Sequence, residues 1–116
     1  MTKQVLEWAP FRLKAGVDEA TLLAASEQLQ RDFLAGQDGF VRRELIKGAE
    51  GSYVDLVWWD SFAASQAAMR KAAVSPACKR YVALMDCDHG NPADDVVLFS
   101  VVDECRPAAR RLALVI

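Results

Sequence analysis

An α+β domain built on one four-stranded antiparallel sheet is the fold class that the sequence predicts. Two observations predict it. Segments of strand composition alternate with segments of helical periodicity, and their order is β-α-β-β-α-β with an extra short helix before the last strand. That order is the split βαβ motif of ferredoxin-like folds, which places both longer helices on one face of the sheet. The other face then has no cover within the chain.

The first strand and the first helix are predicted from residue type and spacing. Residues 5–13 are rich in β-branched and aromatic types. Pro10 within them favours an edge position or a bulge, because proline cannot donate a hydrogen bond to a neighbouring strand. Asp18 is a good N-cap for the helix that follows. Residues at helical spacing then form one expected inward face: Leu22, Ser26, Leu29 and Phe33.

A hairpin and two further helices are predicted next. Residues 40–47 and 53–60 are strand-like runs on either side of a short reversal. Ser61 is the expected cap of the second helix, whose inward stripe is predicted to be Phe62, Gln66, Met69 and Ala73. Ser75, followed by proline, opens a short third helix. Its expected inward residues are Cys78, Tyr81, Val82 and Met85.

The C-terminal part is predicted to hold a loop, a strand and a tail. Residues 96–102 are the expected last strand, after a polar loop at 86–95. We assign residues 1–106 to the ferredoxin-like domain and residues 107–116 to a C-terminal tail. Because the tail ends in the apolar run LALVI, it is expected to pack on the domain or on a dimer partner.

Side chains of the third strand alternate between two faces of the sheet. The set Val54, Leu56, Trp58 and Asp60 is the more apolar, so we assign it to the helices. The other set is Tyr53, Asp55, Val57 and Trp59, which we assign to the helix-free face together with Trp8 of the first strand. A soluble protein rarely leaves such aromatic side chains bare. We therefore expect a homodimer through this face, enclosing a mixed apolar and polar cavity.

Composition excludes several classes of protein. The 116 residues are 53% hydrophobic and 26% charged, which is typical of one globular domain. The net charge of -2 argues against non-specific nucleic-acid binding. No apolar run approaches the roughly 20 residues of a membrane helix. Three cysteines without a CxxC spacing, and a start without a secretory signal, predict a cytoplasmic protein with reduced thiols.

One passage carries a resemblance to a known group of proteins. The stretch Tyr53 to Ser61, preceded by Asp-Gly-Phe at 38–40 and followed by Ser-Pro at 75–76, resembles the antibiotic-biosynthesis-monooxygenase-like group of dimeric α/β barrels. The resemblance spans residues 4–103, and Trp59 matches a tryptophan that commonly ends the third strand in that group. It implies a dimeric α/β barrel. It also implies either a cofactor-independent oxygenase of aromatic molecules or a haem-degrading enzyme.

The haem-degrading alternative is not expected. Members with that activity use an asparagine, a tryptophan and a histidine, and near those places this sequence has Pro10, Met69 and Lys79. We therefore expect no haem and no other cofactor. A metal site is not expected either, because His89 and Cys87 stand without a repeated ligand spacing.

Asp55 and His89 are the candidate catalytic residues. A partly buried carboxylate such as Asp55 can serve as a general base near neutral pH. The alternative for Asp55 is a salt bridge across the hairpin to Arg42 or Arg43. His89 is the one histidine of the chain and titrates near neutral pH, so it is a candidate acid or base at the cavity mouth. The alternative for His89 is a solvent-facing loop position.

Four residues are candidates for binding a substrate: Trp8, Tyr53, Trp59 and Arg42. The tryptophans are suited to stacking on an aromatic molecule, with dimer core as the alternative. The charged strand residues, Glu7, Arg42 and Glu44, have solvation or cross-strand pairing as their alternative role.

Two functional classes follow from these observations. The first is a cofactor-independent monooxygenase-like or related tailoring enzyme acting on a small hydrophobic or aromatic molecule. The second is a non-catalytic dimeric barrel that binds a small molecule or serves only in assembly. Asp55 or His89, unpaired and pointing into an enclosed cavity, would favour the first class, whereas a barrel filled by its own side chains would favour the second. The most informative observation is whether a pocket of several hundred Å³ lies between the sheet and the helices, and which residues line it.

Overall fold

The computed structural model describes residues 3–88 and 90–107. Its strands and helices, in chain order, are β1 Val5–Arg12, α1 Glu19–Asp32, β2 Phe40–Lys47, β3 Ser52–Trp59, α2 Phe62–Ala72, α3 Pro76–Val82 and β4 Val97–Ser100. This order confirms the predicted α+β class. His89 and the tail from residue 108 lie outside the described residues. None of the helices in the described ranges combines the length and the apolar character needed to cross a membrane.

The strands form one antiparallel sheet in the order β2-β3-β1-β4. Strand β1 pairs with β3 along its whole length, from Val5 opposite Trp59 to Arg12 opposite Ser52. Strand β4 pairs only with the first half of β1, from Val5 to Trp8. Pro10 is tolerated within β1 because β4 does not extend that far, so that on this side no strand of the described residues pairs with β1 at position 10.

Helices α1, α2 and α3 each begin at the capping residue that the sequence predicts. The side chains of Asp18, Ser61 and Ser75 accept hydrogen bonds from the backbone N–H three residues ahead, at 2.8, 3.0 and 3.3 Å. These bonds satisfy donors that the first turn of a helix leaves without an internal partner. The predicted inward face of α1 is also confirmed, since its four residues are all buried: Leu22, Ser26, Leu29 and Phe33.

The side chains of β3 face the opposite way from the assignment made from the sequence, whereas Trp8 of β1 lies on the helix-free face as assigned. The residues that point toward the helices and are buried are Tyr53, Asp55, Val57 and Trp59. Val54, Leu56 and Trp58 lie on the helix-free face instead. The two alternating sets of side chains were predicted correctly, but the set that faces the helices was not. The prediction compared how apolar the two sets are, and this placed Asp55 on the outer face. A charged side chain can be buried when its polar atoms are all paired, and both carboxylate oxygens of Asp55 accept hydrogen bonds.

The inward face of α2 also differs from the prediction. Ser65 and Ala68 are buried, whereas Phe62 and Met69 are 58% and 41% exposed. The prediction followed side-chain size, but large apolar residues are often found at protein surfaces. In α3 the prediction holds for Cys78 and Tyr81, which are buried, and fails for Val82, which is exposed. Met85 is buried as predicted, but it lies just beyond the end of this helix.

A buried ion pair joins the sheet to the helix layer. Arg43 donates to both carboxylate oxygens of Asp55, at 2.8 and 2.9 Å, and the two side chains are only 7% and 8% exposed. Tyr81 donates to Asp55 at 2.8 Å and accepts from Arg43 at 3.2 Å. Arg43 also donates to the carbonyl of Ser26 at 3.3 Å. The network therefore links β2 and β3 to α1 and α3.

Replacing Asp55 with Ala is expected to lower the free energy of unfolding by about 3–5 kcal/mol, because it leaves the Arg43 charge buried without its partner. Urea unfolding of the variant and the wild type measures the difference.

The matched control is Glu44→Ala, which breaks an exposed ion pair of the same sheet, Arg42 to Glu44 at 2.7 Å. Its expected loss is below about 1 kcal/mol. Equal losses in the free energy of unfolding for the two variants would show that the buried Arg43–Asp55 pair stabilises the protein no more than an exposed pair does.

Candidate functional site

A cavity of about 760 Å³ lies between the sheet and the helix layer. Its wall is mostly apolar and includes Phe11, Leu29, Phe33, Val57, Trp59 and Met85. Two small residues of α2, Ala68 and Ala72, also line it, so this helix leaves room beside the sheet. The volume falls within the range of about 300–1,000 Å³ that is usual for small-molecule sites. The space between the sheet and the helices is therefore not filled by the side chains of the described residues.

Glu7 lines this cavity from strand β1. It shares the helix side of the sheet with Val5, because alternate residues of a strand point to the same face. Its Oε1 accepts a hydrogen bond from Nε1 of Trp59 at 3.2 Å. The alternation places a carboxylate among buried apolar neighbours.

The surroundings of Glu7 favour its protonated form. Burial raises the pKa of Glu7 above its ordinary value of 4.5, the hydrogen bond from Trp59 works in the opposite direction, and the negative charge of Asp55 raises it further. A carboxylate with a raised pKa holds a proton more tightly than one in water. Glu7 is thus chemically suited to take a proton from a molecule in the cavity and to return it.

Asp55 also lines the cavity, but its two oxygens are already engaged by Arg43 and Tyr81. This is the cross-hairpin pairing that the sequence left open as the alternative, with Arg43 as the partner. Burial, and then the negative charge of Asp55, raises the pKa of Tyr81 well above its ordinary range. The phenol therefore stays protonated and continues to donate to Asp55.

The candidate binding residues are divided between different surfaces. Trp59 lines the main cavity. Trp8 is 37% exposed and lies on the helix-free face. Arg42 lies on that same face, where its guanidinium group stacks 3.8 Å from the centre of the Trp58 ring. Tyr53 donates to Glu19 at 2.8 Å and lines a separate cavity of about 540 Å³.

Sequence reasoning treated Glu7 as an ordinary charged strand residue and so missed its place in the cavity. A signal was present, because Glu7 alternates with Val5 and Phe11, two apolar residues of the same face. A carboxylate in such a row is unusual, since burying a charge is costly without a partner. Sequence reasoning assigned the buried set of β3 to the helix-free face and placed the cavity there, on the other side of the sheet from Glu7.

Cys78 is a further cavity residue that the sequence assigned to the core, and it is buried there. Burial raises the pKa of its thiol, the neighbouring Ser75 lowers it, and the negative charge of Glu7 raises it again. The thiol is therefore held in its protonated form, which is a poor nucleophile. Within residues 3–88 and 90–107, no group of three or more His, Cys, Asp or Glu side chains is placed to hold a metal ion.

Solved structures share this fold. SnoaB, a cofactor-independent oxygenase from Streptomyces nogalater, superposes with a TM-score of 0.68 at 21% identity, covering 89% of this chain and 97% of SnoaB. A candidate antibiotic biosynthesis monooxygenase from Bordetella bronchiseptica superposes with a TM-score of 0.65 at 16% identity, covering 90% of this chain and 100% of the other. One from Chloroflexus aurantiacus gives 0.60 at 14%, covering 89% and 97%.

The four-stranded α+β fold that the resemblance implied is therefore confirmed, and it is shared with these solved structures. No protein-family model and no curated protein sequence matches the chain. A shared fold does not fix an activity, which has to be argued from the site itself.

Replacing Glu7 with Gln is expected to stabilise the protein near neutral pH and to lose this advantage in acid. Because the pKa of Glu7 in the folded state lies above 4.5, ionisation of Glu7 opposes folding. The wild type therefore loses stability relative to the variant as the pH rises from about 4.5 through the folded-state pKa. Below about 4.5 the carboxyl is neutral in both states, and this gap closes.

Thermal midpoints of both proteins between about pH 4 and pH 8 measure this gap. The control Glu44→Gln changes an exposed carboxylate of the helix-free face and is expected to show no gain that widens with pH. The raised pKa of Glu7 would be contradicted if the difference in thermal midpoint between Glu7→Gln and the wild type stays constant or narrows as the pH rises.

Proposed function

We propose that this protein is a cofactor-independent monooxygenase-like enzyme that oxidises a small hydrophobic, aromatic molecule held in the cavity. The observation that carries the proposal is Glu7, a carboxylate with a raised pKa in the wall of an apolar cavity of about 760 Å³. The fold likeness to SnoaB, a cofactor-independent oxygenase, supports the same class of reaction.

The proposed reaction begins with a proton transfer to Glu7 from an acidic CH₂ group between aromatic rings. The resulting carbanion passes one electron to O₂, and the two radicals combine to a peroxide, which takes the proton back from Glu7. Glu7 then removes the second hydrogen of that carbon as a proton, while the O–O bond breaks and hydroxide leaves to take up this proton. The CH₂ group and O₂ become a carbonyl group and water, and the substrate supplies all the electrons.

The other cavity residues have supporting roles in this proposal. Trp59 holds the Glu7 carboxylate in place through its indole N–H. The apolar wall keeps water from the carbanion, which would otherwise be reprotonated. Asp55, which the sequence offered as a candidate base, instead accepts a hydrogen bond from Tyr81 within its ion pair with Arg43 and so holds the α3 wall of the cavity.

Replacing Glu7 with Gln is expected to lower the rate of oxidation by about 10²–10⁴-fold, since a positioned general base contributes about that much. Oxygen uptake with an anthrone as substrate, followed together with the absorbance of the quinone product, measures the rate. The control Glu44→Gln, on the opposite face of the sheet, is expected to keep the wild-type rate. A wild type that does not accelerate anthrone oxidation, or a Glu7→Gln variant with full activity, would defeat the proposal.

A non-catalytic small-molecule-binding barrel is the second candidate. The full pairing of Asp55 favours it, because this carboxylate is already occupied by protein groups. Such a protein would bind an anthrone without turnover, and Glu7→Gln would leave both binding and the background oxidation rate unchanged.

We also propose a homodimer formed through the helix-free face. This face carries large apolar side chains that are 37–50% exposed: Trp8, Ile46, Val97 and Phe99. Trp58 lies beside them, whereas Trp59, which the sequence placed in the interface, is only 2% exposed within its own chain. An uncovered apolar patch of this kind is typical of an interaction site.

Truncation of Trp8 to Ala is expected to weaken dimer association by about 2 kcal/mol, roughly a 30-fold rise in the dissociation constant, because aromatic anchors dominate such interfaces. Sedimentation equilibrium measures this constant. The control Phe62→Ala removes an exposed aromatic ring from the helix layer and is expected to change nothing. A wild type that sediments as a monomer at micromolar concentration would refute the dimer.

A further inference from the structure

Charged side chains along the main cavity differ in sign between its wall and its exposed edge. Four lining residues carry charged groups: Glu7, Lys14, Asp55 and Lys79. The two acidic residues are partly or fully buried, and the two basic residues are exposed. Asp55 is balanced by Arg43. The inner wall thus presents the single carboxyl group of Glu7, and the exposed edge presents two ammonium groups.

Neither lysine is committed to another protein group. Within residues 3–88 and 90–107, the side chains of Lys14 and Lys79 form no ion pair and no hydrogen bond. In the same part of the chain, Lys47 does pair with a carboxylate, Glu19, at 3.0 Å. The two ammonium groups at the cavity edge are therefore free to bind an anion from outside the protein.

Both lysines belong to the part of the cavity edge around the end of α3. Lys79 lies on that helix. The backbone N–H of Lys14 donates to the carbonyl of Leu84 at 2.9 Å, and its neighbour Leu13 pairs with Met85. These backbone contacts fix Lys14 beside the segment that directly follows α3. Lys14 and Lys79 therefore supply basic side chains at this edge of the cavity.

We propose that the cavity selects an apolar aromatic molecule with one anionic substituent, such as a carboxylate or a sulfonate, and that Lys14 and Lys79 hold this substituent at the edge. An anion deeper in the cavity would lie against a mostly apolar wall, where burying a charge is costly. The charges therefore orient the molecule with its anion at the edge and its apolar body inward. That the inward end is the reacting end rests on the proposed function, whereas the binding preference does not.

Two fluorescent probes that differ by one sulfonate test the preference: anilinonaphthalene sulfonate and the neutral phenylnaphthylamine. Replacing both lysines, Lys14→Gln with Lys79→Gln, is expected to weaken binding of the sulfonate probe about three- to tenfold at low salt, as exposed charge pairs are individually weak. Binding of the neutral probe is expected to change less than about twofold. Added salt should weaken sulfonate binding by the wild type more than by the variant.

The matched control is the double variant Lys3→Gln with Lys71→Gln, which removes the same charge from exposed positions that do not line the cavity. It is expected to bind both probes as the wild type does. The proposal is overturned if the Lys14 and Lys79 variant keeps full affinity for the sulfonate probe, or if the control loses as much.

These measurements can refute the proposed oxidation reaction and the proposed anion preference independently of each other. Glu7→Gln is expected to abolish turnover while keeping the lysine-dependent affinity for the sulfonate probe. A protein without oxidase activity that still needs Lys14 and Lys79 for this probe would refute the proposed reaction alone. A fully active protein that does not distinguish the two probes would refute the anion preference alone.

Discussion

The arrangement of the helix layer depends on the bidentate ion pair between Arg43 and Asp55. Removing two charges from water is costly, and the pair is tolerated because each partner has further hydrogen bonds, from Tyr81 and to the Ser26 carbonyl. Among the described residues, no buried side-chain nitrogen or oxygen lacks a hydrogen-bond partner. Such a network is stable only when complete, so it defines where α1 and α3 sit against the sheet.

The same network shapes the proposed site. Helix α3 carries Tyr81 into the network, and it also brings Cys78 and Lys79 to the cavity. The charge of Asp55 contributes to the raised pKa of Glu7. The network therefore affects the candidate base through its charge as well as by positioning α3. Among the described residues, the only hydrogen-bond donor to the side chain of Glu7 is the neutral indole of Trp59. One buried carboxylate is thus fully paired and the other is left available for chemistry.

Neighbouring residues of β3 serve opposite sides of the sheet. Trp59 is enclosed with Glu7 in the interior, whereas Trp58 lies on the helix-free face under the guanidinium group of Arg42. In our proposals the interior side carries the reaction and the helix-free side carries the dimer contact. A strand can separate the two tasks in this way because successive side chains point to opposite faces.

The sequence by itself determined the features that depend on near neighbours: the order of the elements, the caps at Asp18, Ser61 and Ser75, and the buried face of α1. Each is fixed by residues within a few positions, so local spacing is enough. Only the tertiary structure decided which face of the sheet meets the helices, and with it the burial of Glu7 and the choice of Arg43 over Arg42. The alternation of side chains defines two faces of a strand but does not determine which face is buried. A charged side chain can be buried when a partner that is distant in sequence pairs with it, and local sequence does not identify that partner.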